Sequence, residues 1–159
     1  MNEHSFVKAV HRKLPPEVYK WKIHDTYTGG VPDAMYAGPA GLLFVEYKYL
    51  KKLPKKRTTP IKTGLSELQI AWLERMRLYN ILVLTIIGSP PGAVILSEDF
   101  RGTLELSDFD TTISVSECAN LIATLVTNHE RRLTYPSSEP STDLGEIKRR
   151  KQDHPSRGS

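Results

Sequence analysis

Leu42, Leu43, Phe44 and Val45 run continuously apolar and lead straight into Glu46, Tyr47 and Lys48. Such a run suits a strand covered on both faces. Side chains alternate along a strand, so Glu46 and Lys48 project to one side, Val45 and Tyr47 to the other. A carboxylate on a buried strand is costly unless it is paired or holds a metal ion. A second carboxylate, Asp33, follows the turn-forming Gly30 and Pro32. Two carboxylates and a lysine are what metal-assisted phosphodiester hydrolysis needs. The acids hold a hard divalent ion, and ion and ammonium offset the charge that grows on the phosphate.

The flanking sequence supplies the rest of the framework. Asn2 or Ser5 caps a first helix to about residue 13, with Phe6, Val7, Val10 and Leu14 as its apolar stripe, and Pro15-Pro16 ends it. Val18, Lys20 and Lys22 alternate with Tyr19, Trp21 and Ile23, which predicts a half-buried strand. A short strand over 33–36 and the turn Gly38-Pro39-Ala40-Gly41 lead into a third strand over 42–49. Ser66 opens a strong helix to about residue 79, with Leu65, Leu68, Trp72, Leu73, Met76 and Tyr79 facing the core. Residues 81–87 read as a buried strand and 93–96 as a further short one, while 100–112 allows no assignment. Ser114 and Glu117 form a capping box for a helix over 114–128. Three clustered strands predict a meander. The helix that follows predicts a right-handed crossover to a parallel neighbour. The fold class is therefore α/β, a mixed sheet flanked by helices. From residue 130 the chain turns polar and rich in Ser, Pro and charge, which predicts a domain over 1–129 and a disordered tail over 130–159.

With 22 Lys and Arg against 18 Asp and Glu the chain is only mildly basic, so the distribution of charge matters more than its sum. Lys51, Lys52, Lys55, Lys56, Arg57 and Lys62 form the clearest basic cluster, in a loop that also carries Pro54 and Pro60. A charge run is usually a solvated link. This one directly follows the strand of Glu46 and Lys48 and is read as a grip on phosphates. Lys148-Arg149-Arg150-Lys151 is a weaker nucleic-acid contact. The single Cys118 excludes an intrachain disulfide and a multi-cysteine zinc site. The histidines are scattered without metal-ligand spacing. No segment has the apolar length of a membrane span, and Met1 leads straight into polar residues. No membrane association, no secretory signal and a cytoplasmic location are expected.

Pro32-Asp33 and Glu46-Tyr47-Lys48 resemble the two halves of the PD-(D/E)XK nuclease signature. Three segments in order resemble its VRR-NUC branch, found in stand-alone phage nucleases and larger repair nucleases: Gly30-Val31-Pro32-Asp33, Leu43-Phe44-Val45-Glu46-Tyr47-Lys48, and the Gln69-bearing stretch from Leu65 to Leu73. The resemblance covers roughly residues 1–97 and implies an αβββαβ core. It implies Asp33 and Glu46 as metal ligands, completed by the Tyr47 backbone carbonyl. It gives Lys48 the task of positioning or activating the attacking water and stabilising phosphate charge. Glu3 is read either as a further acid at the metal region or as a helix N-terminal acid favoured by the dipole. Gln69 is either beside the catalytic lysine or only a capping-box partner of Ser66.

The implied cofactor is Mg2+, with Mn2+ able to substitute. The implied partner is DNA, with branched or junction DNA as the favoured form, and stand-alone relatives often form homodimers. The expected activity is a magnesium-dependent DNA endonuclease in phage recombination or DNA processing, in the host cytoplasm. The competing readings are a non-catalytic nucleic-acid-binding module on a nuclease fold and a structural protein whose basic loop binds an acidic partner.

Overall fold

The computed structural model describes residues 1–134. Helix α1 (Glu3–Lys13) is followed by strands β1 (Tyr19–Lys22), β2 (Ala34–Gly38) and β3 (Gly41–Tyr49), helix α2 (Glu67–Leu78) and strands β4 (Val83–Ser89) and β5 (Gly92–Leu96). A 3-10 turn (Leu106–Phe109) and helices α3 (Val115–Thr127) and α4 (His129–Thr134) complete the described chain. The five strands lie side by side in chain order, all neighbours antiparallel except the β3–β4 pair, which is parallel. The expected meander and crossover are both present, and the order from α1 to β4 is αβββαβ. The fold is α/β, a mixed five-stranded sheet flanked by helices, as expected.

Capping decides where the helices begin. Asn2 caps α1 with Ser5 as its reciprocal partner, so both candidates take part. Ser66 with Gln69 and Ser114 with Glu117 do the same for α2 and α3. On one face of the sheet, α1 and α3 bury Phe6, Val7, Val10, Cys118, Ile122 and Leu125 against Tyr36, Leu43, Val45, Tyr47, Leu84 and Ile86. Burial pushes the Cys118 thiol up to about 12, so it is a small apolar filler and not a nucleophile. On the other face α2 packs Ile70 and Leu73 against Val83 and Phe100, with Trp72 edge-on to Phe44 at 5.3 Å. Ile61, Leu104 and Phe109 close over Ile87.

Four expectations need correction. All four residues of β1 are exposed, where alternation predicted a half-buried strand. β1 is the edge strand, and Tyr19 and Trp21 share a sheet face with Leu42 and Phe44 through β2, at a point that α2 does not cover. For the same reason Leu42 is exposed, and the apolar run of β3 is covered on both faces only from its middle onward. On α2, Leu68 and Tyr79 point outward and Ile70 takes the core position. Leu68 instead lies over the Gly29–Gly30 turn, where a Cβ on Gly29 would approach its Cδ1 to 2.6 Å. Last, the polar stretch expected to be disordered from residue 130 begins as α4, where Arg132 donates to the Leu42 and Leu125 carbonyls. The remainder of that tail, with Lys148–Arg150 and Lys151, lies outside the described residues.

Within the main core, His11 Nε2 and the Tyr36 and Tyr47 hydroxyls form a line of hydrogen bonds, each 2.7 Å long. Burial, then Lys20 and Lys22, hold His11 below its usual pKa. Both tyrosines are fully buried and their hydroxyls are pushed well up by burial. We expect Tyr47→Phe to lower stability by about 1 kcal/mol, because one buried hydrogen bond is lost while Tyr36 keeps His11. Thermal melts measure this. A variant as stable as the parent would show the Tyr36–Tyr47 bond contributes nothing.

Candidate active site

β3 divides the chemistry between its two faces. Val45, Tyr47 and Leu43 enter the main core, whereas Glu46 and Lys48 face α2. Glu46 is 1% exposed. Its Oε1 accepts from Lys48 Nζ at 2.8 Å and from Gln69 Nε2. Its Oε2 is buried without a partner among the described residues. Burial first, then repulsion from Asp33, raise the Glu46 pKa to about 7 against the opposing pull of Lys48.

Asp33 reaches the same place from the start of β2. Gly30 has φ +88°, and a Cβ there would sit 2.2 Å from the Leu68 carbonyl oxygen, so glycine lets this turn press on the first turn of α2. Pro32 is buried behind it, and the Asp33 carbonyl accepts from Ile23 N–H at 2.8 Å. The Asp33 side chain then accepts from Tyr47 N–H at 2.9 Å. The second carboxylate is thereby tied to the backbone between Glu46 and Lys48.

Gln69 makes both contacts that the sequence left as alternatives. Its amide oxygen accepts from Ser66 N–H at 2.9 Å, and its amide nitrogen donates to Glu46. The cap needs an acceptor, which turns the donor end toward the carboxylate. Glu3 stands at the first position of α1, on the rim. Partial burial raises its pKa first, with Lys48 lowering it, Asp33 raising it and Lys22 lowering it again, so it shares the electrostatic field of the site. The Tyr47 ring belongs to the core. Only its backbone lies on the site side, through the Asp33 contact.

Lys51, Lys52, Lys55, Lys56, Arg57 and Lys62 are all exposed. Their loop is pinned at its start by Leu50 N–H to the Gly88 carbonyl at 2.8 Å and at its end by paired bonds between Ile61 and Leu104. Arg57 is engaged with Asp110 at 2.5 Å. Two contributors escaped the sequence reading. Gly64, at φ +82°, lies along the Lys48 stem, its Cβ position 3.6 Å from Lys48 Cδ. Thr85 is the β4 residue in register with Glu46. Neither belongs to a motif, and only strand register and loop closure reveal them.

Metal ions suit the donor set in one respect in particular: a buried carboxylate oxygen lacks a partner beside a second carboxylate that repels it. Hard divalent ions satisfy that arrangement. Among the described residues no three His, Cys, Asp or Glu side chains gather as a metal-holding group. Asp33 and Glu46 are the carboxylates that this arrangement would offer to such an ion. No described helix is long and apolar enough to cross a membrane.

No family model matches the chain, and no curated protein matches it. Among solved structures the chain is similar to Archaeoglobus fulgidus Hjc, a Holliday junction resolvase from an archaeal hyperthermophile. That match has a TM-score of 0.47 and 14% identity and covers 74% of this chain and 99% of the other. It is too distant to assign a role to any residue.

The raised Glu46 pKa has a stability consequence. In metal-free protein the folded state binds this proton more tightly than the unfolded chain does, about 7 against 4.5. The stabilisation is complete below pH 4.5 and is lost as pH rises through 7. Glu46→Gln removes the titration, so in chelator the variant should gain on the parent between pH 5 and 8, by at most about 3 kcal/mol. Melts across that range check it. A constant difference would show that Glu46 is charged throughout.

Proposed function

We propose that the protein is a magnesium-dependent DNA endonuclease of the PD-(D/E)XK superfamily, closest in its motifs to the VRR-NUC branch. The single observation behind this reading is Glu46. It is a fully buried carboxylate with one oxygen gripped by Lys48 and Gln69 and the other open beside Asp33. A purely structural ion pair would have its oxygens satisfied within the protein.

In this reading Asp33 and Glu46 hold Mg2+ or Mn2+, together with the Tyr47 carbonyl, and Glu3 adds negative charge at the rim. The ion supplies Lewis-acid stabilisation of the phosphate and a more acidic water. Lys48 reaches the same carboxylate from the solvent side, 19% exposed. There its ammonium orients the attacking water and balances charge on the phosphoryl oxygens. Gln69 keeps the Glu46 carboxylate in one rotamer. Water attacks phosphorus in line, and the product carries a 5′-phosphate. The exposed lysines of the 51–62 loop neutralise phosphates next to the cut. Branched DNA is the proposed substrate, since a pinned basic arm can span a junction. A phage setting, a host-cytoplasmic location and a homodimer belong to the same reading and rest on the motif resemblance.

Two experiments test it. Asp33→Asn, Glu46→Gln and Lys48→Ala should each lower Mg2+-dependent cleavage of linear, flapped and four-way-junction DNA by more than about 100-fold, because even outer-shell changes at metal sites cost 10–100-fold. DNA affinity should largely survive. Parent-like cleavage by all three variants would end the assignment. Serine at Lys51, Lys52, Lys55 and Lys56 should reduce the slope of log affinity against log salt by about 0.9 per lost phosphate contact on duplex DNA. An unchanged slope would make the loop a solvated link.

A further inference from the structure

Strand β1 leaves two large aromatic side chains bare at the edge of the sheet: Tyr19 is 61% and Trp21 53% exposed. Register fixes the side they occupy. Trp21 pairs with Met35, and Met35 with Phe44. Trp21 therefore shares a sheet face with Phe44 and, two residues further along β3, with Glu46. Tyr19 pairs with Ala37 and through it with the exposed Leu42. With strands about 4.8 Å apart and about 3.4 Å per residue along them, Trp21 and Glu46 stand about 12 Å apart on one face. The rings form an open aromatic shelf beside the candidate site.

The other flank of the same edge is cationic. Lys20 and Lys22 alternate with the rings and lean toward α1, where Lys20 donates to the His11 carbonyl at 3.2 Å and Lys22 reaches His4 Nδ1 at 3.4 Å. Lys8, Arg12 and Lys13 of α1 are exposed as well. Residues 8–22 thus carry these five bases against one acid, Glu17. None of the five lies within ion-pair distance of a carboxylate among the described residues. An edge with cations on one flank and flat rings on the other complements a polymer with anions on one side and flat ring faces on the other. A nucleic-acid strand with unpaired bases is built that way. A duplex hides its base faces. A second copy docking through the same patch would bring these cations against themselves.

We propose that the β1 edge binds a single-stranded segment of the DNA substrate. Its bases stack on Tyr19 and Trp21, and its phosphates meet Lys20, Lys22 and the exposed bases of α1. The place of this contact in catalysis rests on the nuclease reading, whereas the binding does not. Within that reading it narrows the substrate to DNA with an unpaired strand next to the cut, a flap or fork rather than a fully paired four-way junction.

Binding in chelator at low salt tests the contact without reference to cleavage. An oligo-dT strand should quench the tryptophan fluorescence of the parent. Trp21→Phe should remove that quench and keep most of the affinity, since the other tryptophan, Trp72, packs on Phe44. Trp21→Ala should weaken oligo-dT binding about 5–150-fold, the loss of one base stack, and leave duplex affinity unchanged. Serine at Lys20 and Lys22 should lower the salt slope by about 0.7 per lost contact on single strands. A parent that binds oligo-dT without quenching overturns the proposal, and this measurement decides even where Trp21→Ala does not fold. Equal quenching by polyglutamate overturns it too, because charge alone would then suffice. So does a Trp21→Ala protein that turns from dimer to monomer with its oligo-dT affinity intact, since the shelf would then belong to a second copy. With Mg2+, the parent should cut a flap faster than a fully paired four-way junction, and Trp21→Ala should narrow that difference. Equal rates on the two substrates overturn the narrowed substrate. A parent protein that cuts no DNA sinks the nuclease reading and leaves the quench to decide the binding.

Discussion

A carboxylate is kept in a place where water cannot reach it. Burying an ionised acid without compensation is far costlier than a domain of this size can sustain. The compensation at Glu46 comes from two directions. Lys48 is two residues along the same strand, and Gln69 is on α2. Each constraint fixes an element. Gln69 reaches Glu46 only while its oxygen caps Ser66, so the rotation of α2 and the position of the carboxylate are set together. The Gly29–Gly30 turn, pressed onto Leu68, then locates Asp33 against that same helix. The site and the packing of α2 are one arrangement.

The opposite face of β3 explains why the strand cannot slip. A shift of one residue would exchange Glu46 with Tyr47. The Tyr47 hydroxyl is tied to Tyr36 and onward to His11, and its ring meets Phe6 edge-on at 6.0 Å. Phe6 and His11 are on α1, so the core that holds Tyr47 also sets where α1 begins, and with it where Glu3 stands. The polar tip of Tyr47 gives the core a directional bond as well as apolar area.

Much of this was legible in the sequence because it is local or periodic. The capping boxes of α2 and α3, the αβββαβ order and the opposite facing of Glu46 and Tyr47 all follow from spacing alone. Features governed by distant chain were not. Alternation in residues 18–24 says which side chains share a face, but not whether anything covers that face, and β1 is bare because α2 stops short of it. Ile70 displaced Leu68 on the core side of α2 because Leu68 is drawn to the glycine turn, a contact nearly 40 residues away in sequence. Polar composition after residue 130 concealed Arg132, whose guanidinium caps backbone carbonyls of β3 and α3 and so acts as a clasp.

The site and the basic loop make opposite electrostatic demands. In the proposed reading, holding a divalent ion calls for negative charge; burial first, and then Asp33, raise the proton affinity of Glu46 and Glu3 against the pull of Lys48. A polyanion approaching that cluster would be repelled. β3 separates the acidic and basic groups along a single strand. Glu46 lies buried in its interior, Lys48 begins the change of sign, and exposed lysines follow from residue 51 onward. The loop is pinned at Leu50 and Ile61, so its charge stays close to the acids without entering them. A cation bound by the acids would remove the remaining repulsion, which couples ion occupancy to DNA approach through charge alone. In the proposed reading the order of residues from Glu46 to Lys62 has a physical logic: buried acids to attract an ion, followed by exposed bases that can meet phosphates.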